Sequence, residues 1–207
     1  MPSLRGAIEQ AQRICWNETI GYYFGGYQDS TGYDCSGLVC RVLHDNGFNV
    51  TNTRVGTAFL TAHLVNAGFT YIPYTSGMIM KHGDIVNIND GSYGHSYIYA
   101  ENVNGYYDLP AGTDSSHPND SAWNVTTDIR LLNYAKVEAY SSNGRPQAGD
   151  NPNSYGAHCE VWVHRLNPQY VNNGHPDNCV DILRWPYEYD RDTDGGILAA
   201  LKILKFY

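Results

Sequence analysis

Gly32-Tyr33-Asp34-Cys35-Ser36-Gly37-Leu38-Val39 is the stretch on which the reading of this chain turns. Asp34 is an N-cap candidate, and behind it Leu38, Val39, Val42 and Leu43 recur at helical spacing. The pattern predicts a helix over residues 35–46 that opens on Cys35 and stops at Gly47. Just upstream lies the aromatic-glycine segment Gly21-Tyr22-Tyr23-Phe24-Gly25-Gly26. A catalytic cysteine attacks as its thiolate, which a helix N-terminus favours through about half a positive charge and unpaired N–H groups. Gly32 and Gly37 let backbone and substrate come close, and first-turn N–H groups can stabilise an oxyanion.

Working outward, residues 3–15 carry Leu4, Ala7, Ile8, Ala11, Ile14 and Cys15 at helical spacing behind Ser3, a second N-cap candidate. Residues 17–33 read as a loop. A third helix is expected over residues 57–67, presenting Phe59, Leu60, His63 and Leu64 and ending at Gly68. The period then changes. Short strands are expected at 69–72, 84–88 and 95–100, and at 106–109 after an Asn104-Gly105 turn. Further strands are expected near 136–140 and 159–166, with loops at 110–124 and 141–156. Helices followed by antiparallel strands give an α+β domain. The composition shifts after residue 166, so the reading is one domain over 1–166 and a C-terminal extension over 167–207, with a short helix candidate at 197–206.

Composition bounds the function. The 207 residues are 42% hydrophobic and 16% charged, as in a globular protein, with a formal charge of −8. That charge weighs against nucleic acid as a partner, since phosphate binding needs clustered Lys and Arg. No stretch has the ~18 apolar residues of a membrane span, so membrane insertion is not expected. The first ten residues lack the apolar core of a signal peptide, so delivery outside the cytoplasm would need another route. Five cysteines, at 15, 35, 40, 159 and 179, form neither a disulfide framework nor a CxxC zinc pair. Eighteen tyrosines hint at a surface that meets sugars or peptides.

A base for Cys35 is offered by Gly94-His95-Ser96-Tyr97-Ile98-Tyr99-Ala100, where His95 opens an apolar strand. A third group should orient the imidazole through its other nitrogen. In a hairpin the strand after Asn104-Gly105 returns beside His95, which makes Asp108 the candidate, with Asn102 and Glu101 behind it.

These blocks resemble the NlpC-type cysteine peptidases, papain-like enzymes that cut bacterial cell-wall peptide stems. The opening block is Tyr23-Phe24-Gly25-Gly26 followed by Tyr33-Asp34-Cys35-Ser36-Gly37-Leu38-Val39. A Gly-Asp-hydrophobic strand follows as Gly83-Asp84-Ile85-Val86, and a Gly-His strand as Gly94-His95-Ser96-Tyr97-Ile98-Tyr99. The order is the family's, and the likeness spans roughly residues 4–109. It implies a papain-like fold, Cys35 as nucleophile and His95 as base, with Tyr23, Asp34 and Ser36 on the substrate side. The third position departs from the family's usual His, Asn or Gln, because here it offers Asp108.

Other residues have plainer readings. Cys40 and Cys15 suit a core, since free cysteine is among the most buried residue types. His158-Cys159 leads into Glu160-Val161-Trp162-Val163 and reads as part of a closing strand. His44, His63, His82, His117, His164 and His175 show no paired metal spacing and read as surface or packing residues. Asp190-Arg191-Asp192-Thr193-Asp194-Gly195 imitates a calcium loop, but its twelfth position is Leu201, so it reads as an acidic turn. Trp185 and its tyrosine neighbours either bind sugar rings or fasten the tail.

The expectation is a peptidoglycan hydrolase that cleaves a stem-peptide amide bond through an acyl-enzyme, with no metal or organic cofactor. Endopeptidase precedes N-acetylmuramoyl-L-alanine amidase on family prevalence. A bare catalytic domain without a signal peptide looks like a bacteriophage endolysin, held in the host cytoplasm until a holin releases it to the wall, or carried on the virion. The alternatives are a non-catalytic wall-binding or virion structural protein, and a papain-like transferase or deamidase.

Overall fold

A computed structural model describes residues 1–15, 20–101, 134–141, 159–165 and 171–187. Among the described residues, three α-helices come first. α1 (Leu4–Cys15) starts where Ser3 Oγ accepts from Gly6 N at 3.0 Å, the cap its sequence predicts. α2 (Cys35–Asp45) begins behind Asp34, and α3 (Thr57–Asn66) follows a Gly56 cap that makes no side-chain bond. Between α1 and α2 the loop folds into a two-stranded ladder, β1 (Tyr27–Gln28) against β2 (Gly32–Tyr33).

Among the described residues the main sheet has six strands in the order β3-β8-β4-β5-β6-β7, and every pair is antiparallel. They are β3 (Thr70–Pro73), β4 (Ile85–Asn89), β5 (Gly94–Glu101), β6 (Tyr134–Ser141), β7 (Cys159–Arg165) and β8 (Val180–Arg184). The molecule is thus α+β, with helices and an antiparallel sheet as the change of period predicts.

Side-chain alternation gives the sheet two apolar faces. Ile85, Ile98, Ala100, Val137, Ala139 and Leu183 join the helical core around Leu38, Val39, Val42, Leu43, Leu60 and Leu64. Val86, Ile88, Tyr97, Tyr99, Val180 and Ile182 pack on the other side with Tyr74, Met80 and Val171. Leu38, Leu43, Leu60 and Leu64 are fully buried, each worth about 1.5–3 kcal/mol. This burial fixes α2 against β5 and so sets where its first residue lies.

One expectation is corrected. Residues 167–207 read as an extension beyond the domain, yet β8 lies inside the sheet, bonded to β3 on one side and β4 on the other. Arg184 adds a clamp: Nε donates to Asp84 Oδ1 at 2.8 Å and Nη2 to Asp84 Oδ2 at 2.7 Å. The composition shift at 167 therefore marks no structural edge. The strand expected at 106–109, the loop at 110–124, most of the loop at 141–156, the acidic turn at 190–195 and the helix at 197–206 lie outside the described residues.

Candidate active site

The start of α2 is built by a close approach. A Cβ added at Gly37 would fall 1.9 Å from the carbonyl oxygen of Gly26, so only glycine lets the loop lie against the helix there. Asp34 N donates to that same Gly26 oxygen at 3.0 Å. Its carboxylate is the N-cap: Oδ1 accepts from Gly37 N at 2.7 Å and from Ser36 Oγ at 3.2 Å, and Oδ2 accepts from Gly25 N at 3.0 Å. Arg54 Nε forms an ion pair with Oδ2, while its guanidinium lies 4.9 Å from the centroid of the Phe24 ring. Burial raises the Asp34 pKa, and Arg54, the Gly37 and Gly25 N–H groups and the Ser36 hydroxyl pull against it.

These bonds decide which groups face a substrate. Asp34 and Ser36 are both 1% exposed, and their polar atoms serve the cap. Tyr23, half-buried, sits in the loop before β2, where its N–H donates to Tyr33 O at 3.0 Å. Of the four N–H groups in the opening turn, Asp34 and Gly37 have acceptors among the described residues, and those of Cys35 and Ser36 have none there.

Cys35, the first residue of α2, is a buried free thiol near enough to the ring of His95 to raise that ring's pKa. His95 is the second residue of β5, and Gly94 before it has its own steric reason. A Cβ there would meet Thr57 Oγ1, at the start of α3, at 2.2 Å. The structure therefore brings together the two residues that the sequence paired. His95 Nε2 bonds to Glu138 Oε2. Both residues of this pair are buried, His95 at 4% and Glu138 at 1% exposed.

Glu138 holds the role for which Asp108 was the candidate, and Asp108 lies outside the described residues, as does Asn102. Strand register explains how a residue so distant in sequence arrives. β6 pairs with β5 through Ile98↔Val137, and continuing that ladder sets Glu138 opposite Tyr97. Glu138 is then the diagonal same-face neighbour of His95, within reach of a long side chain. Arg54 was missed as well, because it belongs to no motif and its role exists only through Asp34.

Burial by itself pushes the His95 pKa down, but the Glu138 carboxylate and the Cys35 sulfur outweigh it and raise the value to about 9. At neutral pH His95 is thus an imidazolium between two groups that carry or can carry negative charge. The arrangement can pass a proton from sulfur to ring and from ring to a leaving group, while Glu138 fixes the tautomer and orientation. Among the described residues no group of three or more His, Cys, Asp or Glu side chains could hold a metal ion. No helix among them is long and apolar enough to cross a membrane. No protein-family model matches this chain, and no curated protein matches it.

Proposed function

We propose that this protein is a cysteine hydrolase that cleaves an amide bond of the peptidoglycan stem peptide, on a papain-like fold of NlpC type. The observation that carries the reading is the buried line from Cys35 through His95 to Glu138 at the start of α2. The thiolate of Cys35 attacks the amide carbonyl carbon, and His95 holds the proton taken from sulfur. The tetrahedral oxyanion is met by the Cys35 and Ser36 N–H groups. It collapses as the C–N bond breaks, His95 protonates the departing amine, and a thioester remains on Cys35. Water, deprotonated by His95, then attacks the thioester, releasing a carboxylic acid and restoring the thiol. Glu138 stays ionised and stabilises the imidazolium in both halves of the cycle.

The substrate class comes from the likeness of the Tyr23–Gly26, Asp34–Gly37 and Gly94–His95 blocks to the cell-wall enzymes, endopeptidases ahead of amidases. Phage-mediated host lysis is the setting that goes with it. The test is digestion of purified muropeptides with product identification by mass spectrometry, alongside Cys35→Ala. A new amine and a new carboxylate at one bond, absent with Cys35→Ala, are expected. Intact muropeptides combined with an alkylatable Cys35 would favour a transferase or deamidase acting on protein glutamine.

A further inference from the structure

The ring of His95 lies between two aromatic neighbours, Tyr93 at 6.2 Å and Tyr97 at 5.9 Å between centroids. Each neighbour is fastened by the segment over residues 171–177. Tyr97, fully buried, donates its hydroxyl to Val171 O at 2.5 Å. Tyr93 is covered by His175, which stacks on it at 4.4 Å with an interplanar angle of 18°. One carboxylate ties the second arrangement together. Asp90 Oδ1 accepts from Tyr93 N at 2.6 Å and from Ser92 N at 2.9 Å, while Asp90 Oδ2 bonds His175 Nδ1 at 2.9 Å. His175 is itself presented by a tight turn, in which its N–H donates to Asn172 O at 2.9 Å and its carbonyl accepts from Asn172 Nδ2 at 2.7 Å.

We propose that the Tyr93–His175 stack is a positioning device for the base: it holds the His95 ring in line between Cys35 and Glu138 and keeps water from the His95–Glu138 bond. The inference rests on the reading of His95 as base and gives residues 171–177 a part in the site. A stacked, doubly anchored pair costs little further entropy to hold still, so the imidazole is already oriented when substrate arrives. Among the described residues, the titratable and charged groups around His95 include Cys35 on α2, Glu138 on β6, Tyr97 on β5 and Tyr93 just before β5. Tyr74 and Tyr99 face Tyr97. Asp90 and His175 stand one ring further out, and Asp34 with Arg54 lies behind Cys35.

Two variants of the full chain separate the stack from the Asp90 bond. His175→Gln keeps a donor for Asp90 and removes the ring, whereas His175→Phe keeps a ring for Tyr93 and removes the bond. Each is measured by muropeptide kinetics and by nitrogen-15 NMR titration of the His95 imidazole. For His175→Gln we expect kcat to fall about tenfold at unchanged KM, a fraction of the ~100-fold that an ångström of misplacement costs. Water reaching the pair would screen the Glu138 attraction, so the His95 titration should move from about 9 towards its ordinary 6.5. His175→Phe should recover both. A His175→Gln protein with wild-type kcat and titration overturns the proposal, as does a rise in KM alone or a His175→Phe protein equally impaired. If the unmodified protein cleaves no muropeptide, the substrate reading fails, and the NMR titrations still decide the positioning role.

Discussion

Glu138, on β6, bonds the imidazole of His95, on β5, from 43 residues away in sequence, and both side chains are buried. A carboxylate removed from water is costly unless it is paired, and the imidazolium is the group that pairs it here. The same attraction keeps the ring charged at neutral pH. Glu138→Gln removes the charge while keeping the shape, so burial is then opposed by Cys35 alone and the His95 pKa falls. We expect kcat to fall about 100-fold, within the range general acid–base groups contribute, and the His95 NMR titration to fall from about 9 towards its ordinary 6.5.

Stability should carry the same signature. The folded-state pKa of His95 is raised, so its charge stabilises the fold fully below about 6.5, the unfolded value, and that contribution is lost as pH rises through about 9. Urea midpoints at pH 6, 8 and 10 should therefore fall across this window, and the fall should be smaller in Glu138→Gln. Equal slopes in the two proteins would contradict a charged His95–Glu138 pair.

At Gly37 the prediction is steric. A methyl group there meets the Gly26 carbonyl at 1.9 Å, and backbone cannot rotate away as a side chain can. Gly37→Ala should cost about 3 kcal/mol, at the upper end of overpacking penalties, and should lower kcat by shifting Cys35. Gly56→Ala is the control, since its Cβ meets nothing within 4 Å and its φ of −60° suits any residue. Denaturant curves of the two variants give the comparison.

Legibility in the sequence followed how local each signal was. α1 and α2 were readable because cap and apolar spacing fall within a few turns, as does the Gly47 stop of α2. Cys35 and His95 were readable because each sits beside glycines that a close approach requires. Glu138 was not, since Lys136-Val137-Glu138-Ala139-Tyr140 alternates like a strand with one solvated face. Only the pairing of β6 with β5 sets Glu138 beside Tyr97. β8 was hidden for a related reason: Val180-Asp181-Ile182-Leu183-Arg184 puts two charges in an interior strand. Asp181 accepts from Thr61 Oγ1 at 2.5 Å and Arg184 clamps Asp84, so both charges are answered by residues a hundred or more positions away.

Ending the chain at residue 166 should consequently abolish folding. It removes the strand between β3 and β4 and leaves both without a ladder partner on that side. We expect the truncated protein to show no cooperative thermal transition. Arg184→Met tests the clamp alone. Asp84 is 1% exposed, and Arg184 supplies two of its hydrogen bonds, with Lys81 N a third at 2.7 Å. Leaving that carboxylate unpaired should cost about 3 kcal/mol, read from urea midpoints at pH 7.

Ser96 and Asn87 face each other across β5 and β4, on the side of the sheet opposite His95. Asn87 Nδ2 donates to Thr57 O at 3.0 Å and Thr61 Oγ1 at 2.9 Å, tying the sheet to α3. Its Oδ1 and the Ser96 hydroxyl are buried without a hydrogen-bond partner among the described residues. An unanswered buried hydroxyl carries its desolvation cost with no return, so Ser96→Ala should leave stability unchanged or raise it by about 1 kcal/mol. Asn87→Ala should do the reverse and lose about 1–2 kcal/mol, because the α3 bonds go with it. Activity discriminates further. Strand alternation turns Ser96 away from the Cys35–His95–Glu138 line, so Ser96→Ala should retain wild-type kcat, and a large loss would mean that the helix-facing side of β5 governs the base.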